Sequence, residues 1–464
     1  MSNTFLFFDD KNLLTVHGIK RRYGTPKLLE IYRDPVAKTS TGMPSVWYNE
    51  DSDEYMMFYN GHTPDAEFPL VATSKDGIHF SPRSTVGESD LETRHVDHQM
   101  MEWCGELAAV YVDKTAPKEK RLKALTALGD FNTQRIITNP LYTSGDGIHW
   151  TKEPVQWHNN GAEPGAMCFY NHVTGKHTII ARPDPGVRRV CIIETDDFER
   201  FTDVRLVMTP DSCDEPLAEH YGMPTFPYKG MFVSFLWIYH APNVRERKYW
   251  GGTLDAQLVY SYNGQNFQRS LREPFFHNGD VPETAGLLAP SCLYETKEGR
   301  LLIAASACSK EHGYFSEDGS ILIYELRPDG FISLHADGEG DFSTIPMVYE
   351  GGELFVNAAA EALTCALYTD DSDEHPLELG IHPVRPIDGF GHEDFIPFSG
   401  DNTHLSLQWK NHSLDELTGK ILYLEFKFSK GDVYSVSGSL TPMMICDLAR
   451  YHLYGTIPDI TGIG

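Results

Sequence analysis

The chain has 464 residues, 41% of them hydrophobic and 23% charged, which is ample for a packed core and excludes a disordered protein. Its charge sum, 39 − 66 = −27, repels phosphate backbones and anionic lipid headgroups, so nucleic acid and membrane surfaces are excluded as partners while a neutral polar ligand fits. Aromatics at 12%, with 39 Gly and 28 Pro, favour many short strands joined by tight turns over a helical bundle.

The first ten residues, MSNTFLFFDD, carry no basic region and meet Asp9 and Asp10 too early for a secretion signal. No stretch approaches the ~20 apolar residues that cross a bilayer. The cysteines stand apart, at 104, 168, 191, 213, 292, 308, 365 and 446, with no C-x-x-C pair. They read as buried thiols of a reducing compartment, and a cytoplasmic location is expected.

One apolar pattern ending in Tyr recurs along the chain: GMPSVWY to Tyr48, GELAAVY to Tyr111, GAMCFY to Tyr170, GMPTFPY to Tyr228 and LAPSCLY to Tyr294. The spacings are 63, 59, 58 and 66 residues, and each copy is followed by a second apolar run such as EYMMFY or KHTIIA. A second marker interleaves with the first: TSKDGIHF (73–80), TSGDGIHW (143–150), ETDDFERF (194–201), YSYNGQNF (260–267) and, shortened, ELRPDGF (325–331). Asp/Asn-Gly supplies the positive-φ turn of a tight hairpin, so each marker reads as strand, turn, strand. Repeats of this length with about four short strands each predict an all-β fold, a five-bladed β-propeller over residues 1–335. Beyond it, ELFVNA, CALYT, LSLQW and ILYLEFKF alternate with period two and predict an antiparallel β-sandwich with a C-terminal tail over 336–464.

In a propeller the innermost strand of each blade begins at the mouth of the axial channel, so polar groups just before each Tyr-ended pattern aim at one pocket. Blade one offers no carboxylate there. Blade two offers Asp97, His98, Glu102, Trp103 and Glu106; blade three, Glu163; blade four, Glu219, His220 and Tyr221; blade five, Asp280 and Glu283. The second strand of blade three ends in ARPDPG with Arg182. Converging carboxylates with aromatics and an arginine suit glycosidic bond cleavage, where one carboxyl donates a proton and another attacks or activates water. Glu163 is the candidate acid, and Glu102 or Glu219 the nucleophile or base. Asp97, Trp103, Arg182, His220, Tyr221, Asp255 and Glu283 are candidate substrate-binding residues. An acidic residue in a chain this acidic is more often a solvated loop side chain, and it is the shared blade position that raises these three glutamates above that reading. Asp76, Asp146 and Asp197 are already explained by turn geometry. No H-E-x-x-H or comparable cluster predicts a metal, and no cofactor is expected.

Five blades followed by a sandwich resemble the arrangement of glycoside hydrolase family 32, and the propeller is similar to those of families 43 and 68. The segments FLFFDD, LVATSKDGIHF, EHYGMPTFPY, TLDAQLVYS and LRPDGFISL carry a resemblance to a branch of that superfamily. It implies a carbohydrate-active propeller with Glu163 near the acid position. The fructan-cleaving signature is absent: blade one has Met43 where the nucleophilic Asp would lie, and Arg33-Asp34-Pro35 precedes blade one instead of lying in blade two. The expected function is a glycoside hydrolase or transglycosidase acting on a short oligosaccharide. A non-catalytic carbohydrate-binding propeller and a glycoside phosphorylase, with Arg182, Arg188 and Arg189 holding phosphate, are the alternatives. For the last of these, Arg188 and Arg189 also read as part of an exposed strand. A small carbohydrate is the expected partner, and a homo-oligomer built through the sandwich is left open.

Overall fold

The computed structural model describes residues 3–39, 43–62, 67–102, 106–130, 135–158, 163–182, 188–242, 251–312, 318–370 and 384–444. The chain divides into two compact units, residues 26–326 and residues 1–25 with 327–464.

The larger unit is built from short antiparallel sheets in chain order. Blade one holds Ser45–Asn49, Glu54–His62, Glu67–Ser74 and Ser81–Pro82. Blade two holds Glu106–Val112, Leu122–Asp130, Arg135–Ser144 and Thr151–His158. Blade three holds Glu163–Asn171, Lys176–Arg182, Val190–Thr195 and Arg205–Met208. In blade four the first strand is broken into Ala218–Gly222 and Thr225–Tyr228, both paired with Met231–His240, which pairs with Thr253–Ser261. Isolated bridges from Tyr260 to Gln268 and from Ala256 to Phe276 stand where a fourth strand would lie. Blade five runs Leu287–Glu295, Leu301–Cys308 and Gly319–Leu326, and its outer strand is Lys27–Tyr32 from the beginning of the chain. That strand closes the ring, which is why the fifth marker looked shortened. Each Tyr-ended pattern is the first strand of its blade.

The second strands are buried on both faces because each faces two neighbouring blades. In EYMMFY, Tyr55, Met57 and Tyr59 pack toward Leu302 and Ala304 of blade five, while Met56 and Phe58 pack toward Leu107 and Val110 of blade two. Period-two alternation does this: successive side chains leave the strand on opposite sides. Leu125 and Trp157 meet Ile179 and Ile193 at the next seam, and Phe169 and Ile180 meet Phe232 and Leu236 at the one after. Between blades four and five, Trp237 Nε1 donates to Pro290 O at 2.8 Å.

The second marker forms the same turn in four blades. The Ser144 hydroxyl accepts from Asp146 N and Gly147 N, and Asp146 Oδ1 accepts from Ile148 N and His149 N at 2.8 and 2.9 Å. Ser74 with Asp76, Thr195 with Asp197 and Ser261 with Asn263 repeat the pattern. The residue after each Asp/Asn has φ between 59° and 80°, the left-handed region that glycine enters without strain. Blade three places Phe198 there, and its ring lies against Tyr111 of blade two.

The smaller unit encloses one apolar core including Phe342, Leu363, Trp409, Leu424 and Phe426. Its long strands Ile332–Thr344, Phe355–Asp370 and Ile421–Gly438 lie side by side. The 1–335 and 336–464 division expected from sequence differs from the observed one at both ends. Asn3–Leu6 pairs with Ile421–Gly438, and Leu13–His17 and Lys20–Tyr23 pair with Ile332–Thr344, so the first 25 residues belong to this unit. The Pro328-Asp329-Gly330 stretch of the fifth marker is part of this unit and not a blade turn. There Gly24 and Gly330 sit back to back, since a Cβ on Gly24 would come 1.7 Å from Gly330 O. Among the described residues no helix is long and apolar enough to cross a membrane.

Candidate active site

Within each blade the start of the first strand faces the end of the second, so these positions share one face of the propeller. The registers Glu163↔Arg182, Ala218↔His240 and Leu287↔Cys308 fix it. At the blade-three and blade-four positions the described side chains converge. The Arg188 guanidinium pairs with Glu219 at 2.5 Å and lies 4.7 Å over the Tyr239 ring and 5.2 Å over Tyr221. The Arg182 guanidinium covers Tyr221 at 4.2 Å and donates to its carbonyl. The Tyr221 hydroxyl meets His312 Nε2 at 2.7 Å. Stacking on aromatic faces aims the two guanidiniums while they remain buried, at 3% and 7% exposure. Arg188 was read from sequence as part of an exposed strand; it is instead a buried residue beside Glu219.

Beside this cluster, His240 sits between two carboxylates, with Nε2 3.0 Å from Asp255 Oδ2 and Nδ1 3.1 Å from Glu215 Oε2. The hydrogen bond to Asp255 raises the His240 pKa above its ordinary value. Asp255 is buried, and its Oδ1 has no hydrogen-bond partner among the described residues.

The remaining sequence candidates are spread more widely. Glu163 opens the first strand of blade three, but its side chain lies outside the described residues, as does all of Trp103. Glu102 is exposed, and its carboxylate accepts from Glu92 N and Thr93 N, bracing that loop. Asp97 is exposed. Glu283 is half-buried and ion-paired with Arg33. His220 is fully buried, with Nε2 3.8 Å from Asp214 and no hydrogen bond from either ring nitrogen among the described residues. Alternation places Glu219 and Tyr221 on the site side and turns His220 into the blade. Burial, helped by the nearby Arg269 charge, pushes its pKa down to about 4.

A second constellation was not singled out from sequence. Asp34, in the turn before blade one, accepts from Tyr59 OH at 2.5 Å, lies 2.6 Å from His98 Nε2, and accepts from Val36 N and Ala37 N. Tyr32 of the closing strand continues the chain through Tyr59 OH at 2.7 Å. Burial alone would raise the Asp34 carboxyl; the hydrogen bonds from His98, Tyr59 and the two backbone amides outweigh it and hold the pKa low. With its side chain wholly buried, Asp34 ties the closing strand, blade one and the approach to blade two together. The Asp-Pro pair was the signal for it, because Asp before Pro favours a turn in which the carboxylate caps following amides. Met43, at the position of the fructan-cleaving Asp, is a core residue.

Several solved structures align with this chain at low identity. No protein family and no curated protein matches the sequence. A thermostable family-43 glycoside hydrolase aligns over 65% of this chain and 95% of its own, at 14% identity and TM-score 0.46. A glycosyl hydrolase from Bacteroides ovatus aligns over 65% and 94%, at 15% and 0.44. The exo-β-1,3-galactanase of Phanerochaete chrysosporium aligns over 90% and 100%, at 7% identity and 0.44. Among the described residues no cluster of His, Cys, Asp and Glu is arranged to hold a metal ion.

Proposed function

We propose that the propeller cleaves a glycosidic bond of a short oligosaccharide at the face where the first strands begin. The carrying observation is the pairing of half-buried Glu219 with Arg188 at 2.5 Å, one blade from the strand that Glu163 opens beside Arg182. Glu163 donates a proton to the leaving oxygen. Glu219 attacks the anomeric carbon or takes a proton from the attacking water, with Glu102 as the other candidate for that role. Arg182 and Tyr221 hold sugar hydroxyls through guanidinium and phenol donors.

Turnover of an aryl-glycoside panel by wild type, Glu163→Gln and Glu219→Gln tests the reading. Both substitutions are expected to lower kcat by roughly 10³-fold, the scale of losing an acid or base. Activity equal to wild type in both would overturn it, and sugar binding without turnover by wild type would favour a binding protein. The two guanidiniums on one tyrosine ring favour a second reading, in which inorganic phosphate replaces water and the product is a sugar 1-phosphate. Turnover that requires added phosphate distinguishes it.

A further inference from the structure

In the smaller unit the strand registers assemble one polar row. Asp341 pairs with Lys427 and Lys427 with Thr364, while His17 pairs with Asp341 and places Nδ1 2.9 Å from its Oδ2. The row therefore crosses four strands about 4.8 Å apart. Two residues along, on the same face, Glu339, Ser429 and Ala362 form the next row. Ser429 and Ala362 are small, so the face dips between Glu339 and the first row, and both rows line a cleft of about 570 Å³. One wall is the turn at Gly18, where φ is 66° and a Cβ would come 2.4 Å from Glu339 O. The outer face of an antiparallel sheet is polar in any case; what sets this one apart is a hollow of ligand size.

We propose that this cleft binds a neutral oligosaccharide laid across the strands. Along the row a carboxylate acceptor, an ammonium donor and a hydroxyl that does both follow one another. Sugar hydroxyls, which donate and accept, match that sequence, and the strand spacing is comparable to the width of a pyranose ring. The cleft thus presents acceptors at Glu339 and Asp341 and a donor at Lys427 to the same ligand. The row is also held in place beforehand: Lys427 Nζ lies 3.1 Å from Glu425, and Thr364 Oγ1 lies 3.0 Å from His392 Nδ1.

The test is calorimetric titration of the full chain carrying Glu219→Gln, which suppresses turnover at the propeller, with xylohexaose, mannohexaose and maltohexaose. At least one is expected to bind. Asp341→Ala with Lys427→Ala should weaken that binding about tenfold or more, as expected for losing charged hydrogen bonds. Ala362→Tyr, at an exposed position, fills the hollow without removing a partner and should abolish the binding. Failure of all three sugars to bind, or binding unchanged in both variants, overturns the proposal. The same cleft substitutions made in the wild-type chain leave the propeller unchanged, so aryl-glycoside turnover measured there reports separately on the proposed catalytic reading.

Discussion

Glu219 and His220 are adjacent in the chain, yet one is half-buried on the candidate site and the other is sealed inside a blade. At the scale of single residues, the sequence locates the start of each first strand but not which of two successive side chains faces the site. A broken strand makes that choice: Ala218–Gly222 pairs with Met231–His240 through a register shift between His220 and Gly222. Arg188 escaped for a related reason. Its guanidinium is positioned by Tyr221 and Tyr239, residues far along the chain whose contribution no local pattern reveals. The same contacts make Arg188 a positioning residue for Glu219 and lead to an expectation. Arg188→Met should lower kcat roughly 10²-fold through misplacement of the carboxylate, while Arg188→Lys keeps a charge beside it and should recover part of the rate. Steady-state kinetics on one aryl-glycoside decides this. A change confined to KM would mean that Arg188 only binds substrate.

The element most legible in the sequence was the Ser/Thr-x-Asp/Asn turn, because its hydrogen bonds need particular side chains at fixed offsets. Even there, the third copy shows how tertiary packing overrides local preference. Phe198 accepts a positive φ that costs about 1 kcal/mol or more, and recovers it by filling the seam beside Tyr111 and His177. The Asp146 carboxylate caps two amides and bonds His149 Nδ1 at 2.7 Å. Burial would raise its pKa, and the bonds to His149 and Ile148 outweigh this and lower it. A lowered carboxyl contributes stability that is present above the ordinary carboxylate range and lost as pH falls through its folded value. Asp146→Ala should therefore cost about 1 kcal/mol at neutral pH, the scale of losing a cap, and less near pH 3, below the ordinary carboxylate range. Urea unfolding at the two pH values measures the difference. An equal cost at both would place the effect in packing instead of charge.

At the scale of the whole molecule, the all-β fold was legible because the repeats imposed it, whereas the division between units was not. Nothing local announces that residues 1–25 pair with strands more than 300 residues away, or that Lys27–Tyr32 completes blade five. Long-range pairing of this kind follows from edges that must be covered, and an edge is visible only once the fold is known. The propeller also buries histidines within and between its blades, and these set its response to acid. Burial lowers the pKa of His158, His177 and His220 below 6.5, to about 4 for His220. At the blade-two and blade-three seam, His177 faces Tyr111, Asp113, Thr115 and Lys123, and a second cation beside Lys123 is unfavourable. The unfolded chain takes up protons at these sites first, so stability falls as pH drops below about 6.5 toward the folded values. His79, His149 and His240 act in the opposite direction, since Asp76, Asp146 and Asp255 raise their pKa, but all three are more exposed than the buried ones. For His220 alone the loss by pH 4 is on the order of 3 kcal/mol. The lowered carboxyls of Asp34 and Asp76 add to it only below the ordinary carboxylate range. The urea midpoint should thus decline steadily between pH 7 and pH 4.5, and His220→Gln should flatten that decline. A midpoint independent of pH in this window, or a decline identical in the variant, would show that the buried imidazoles take up protons without opening the ring.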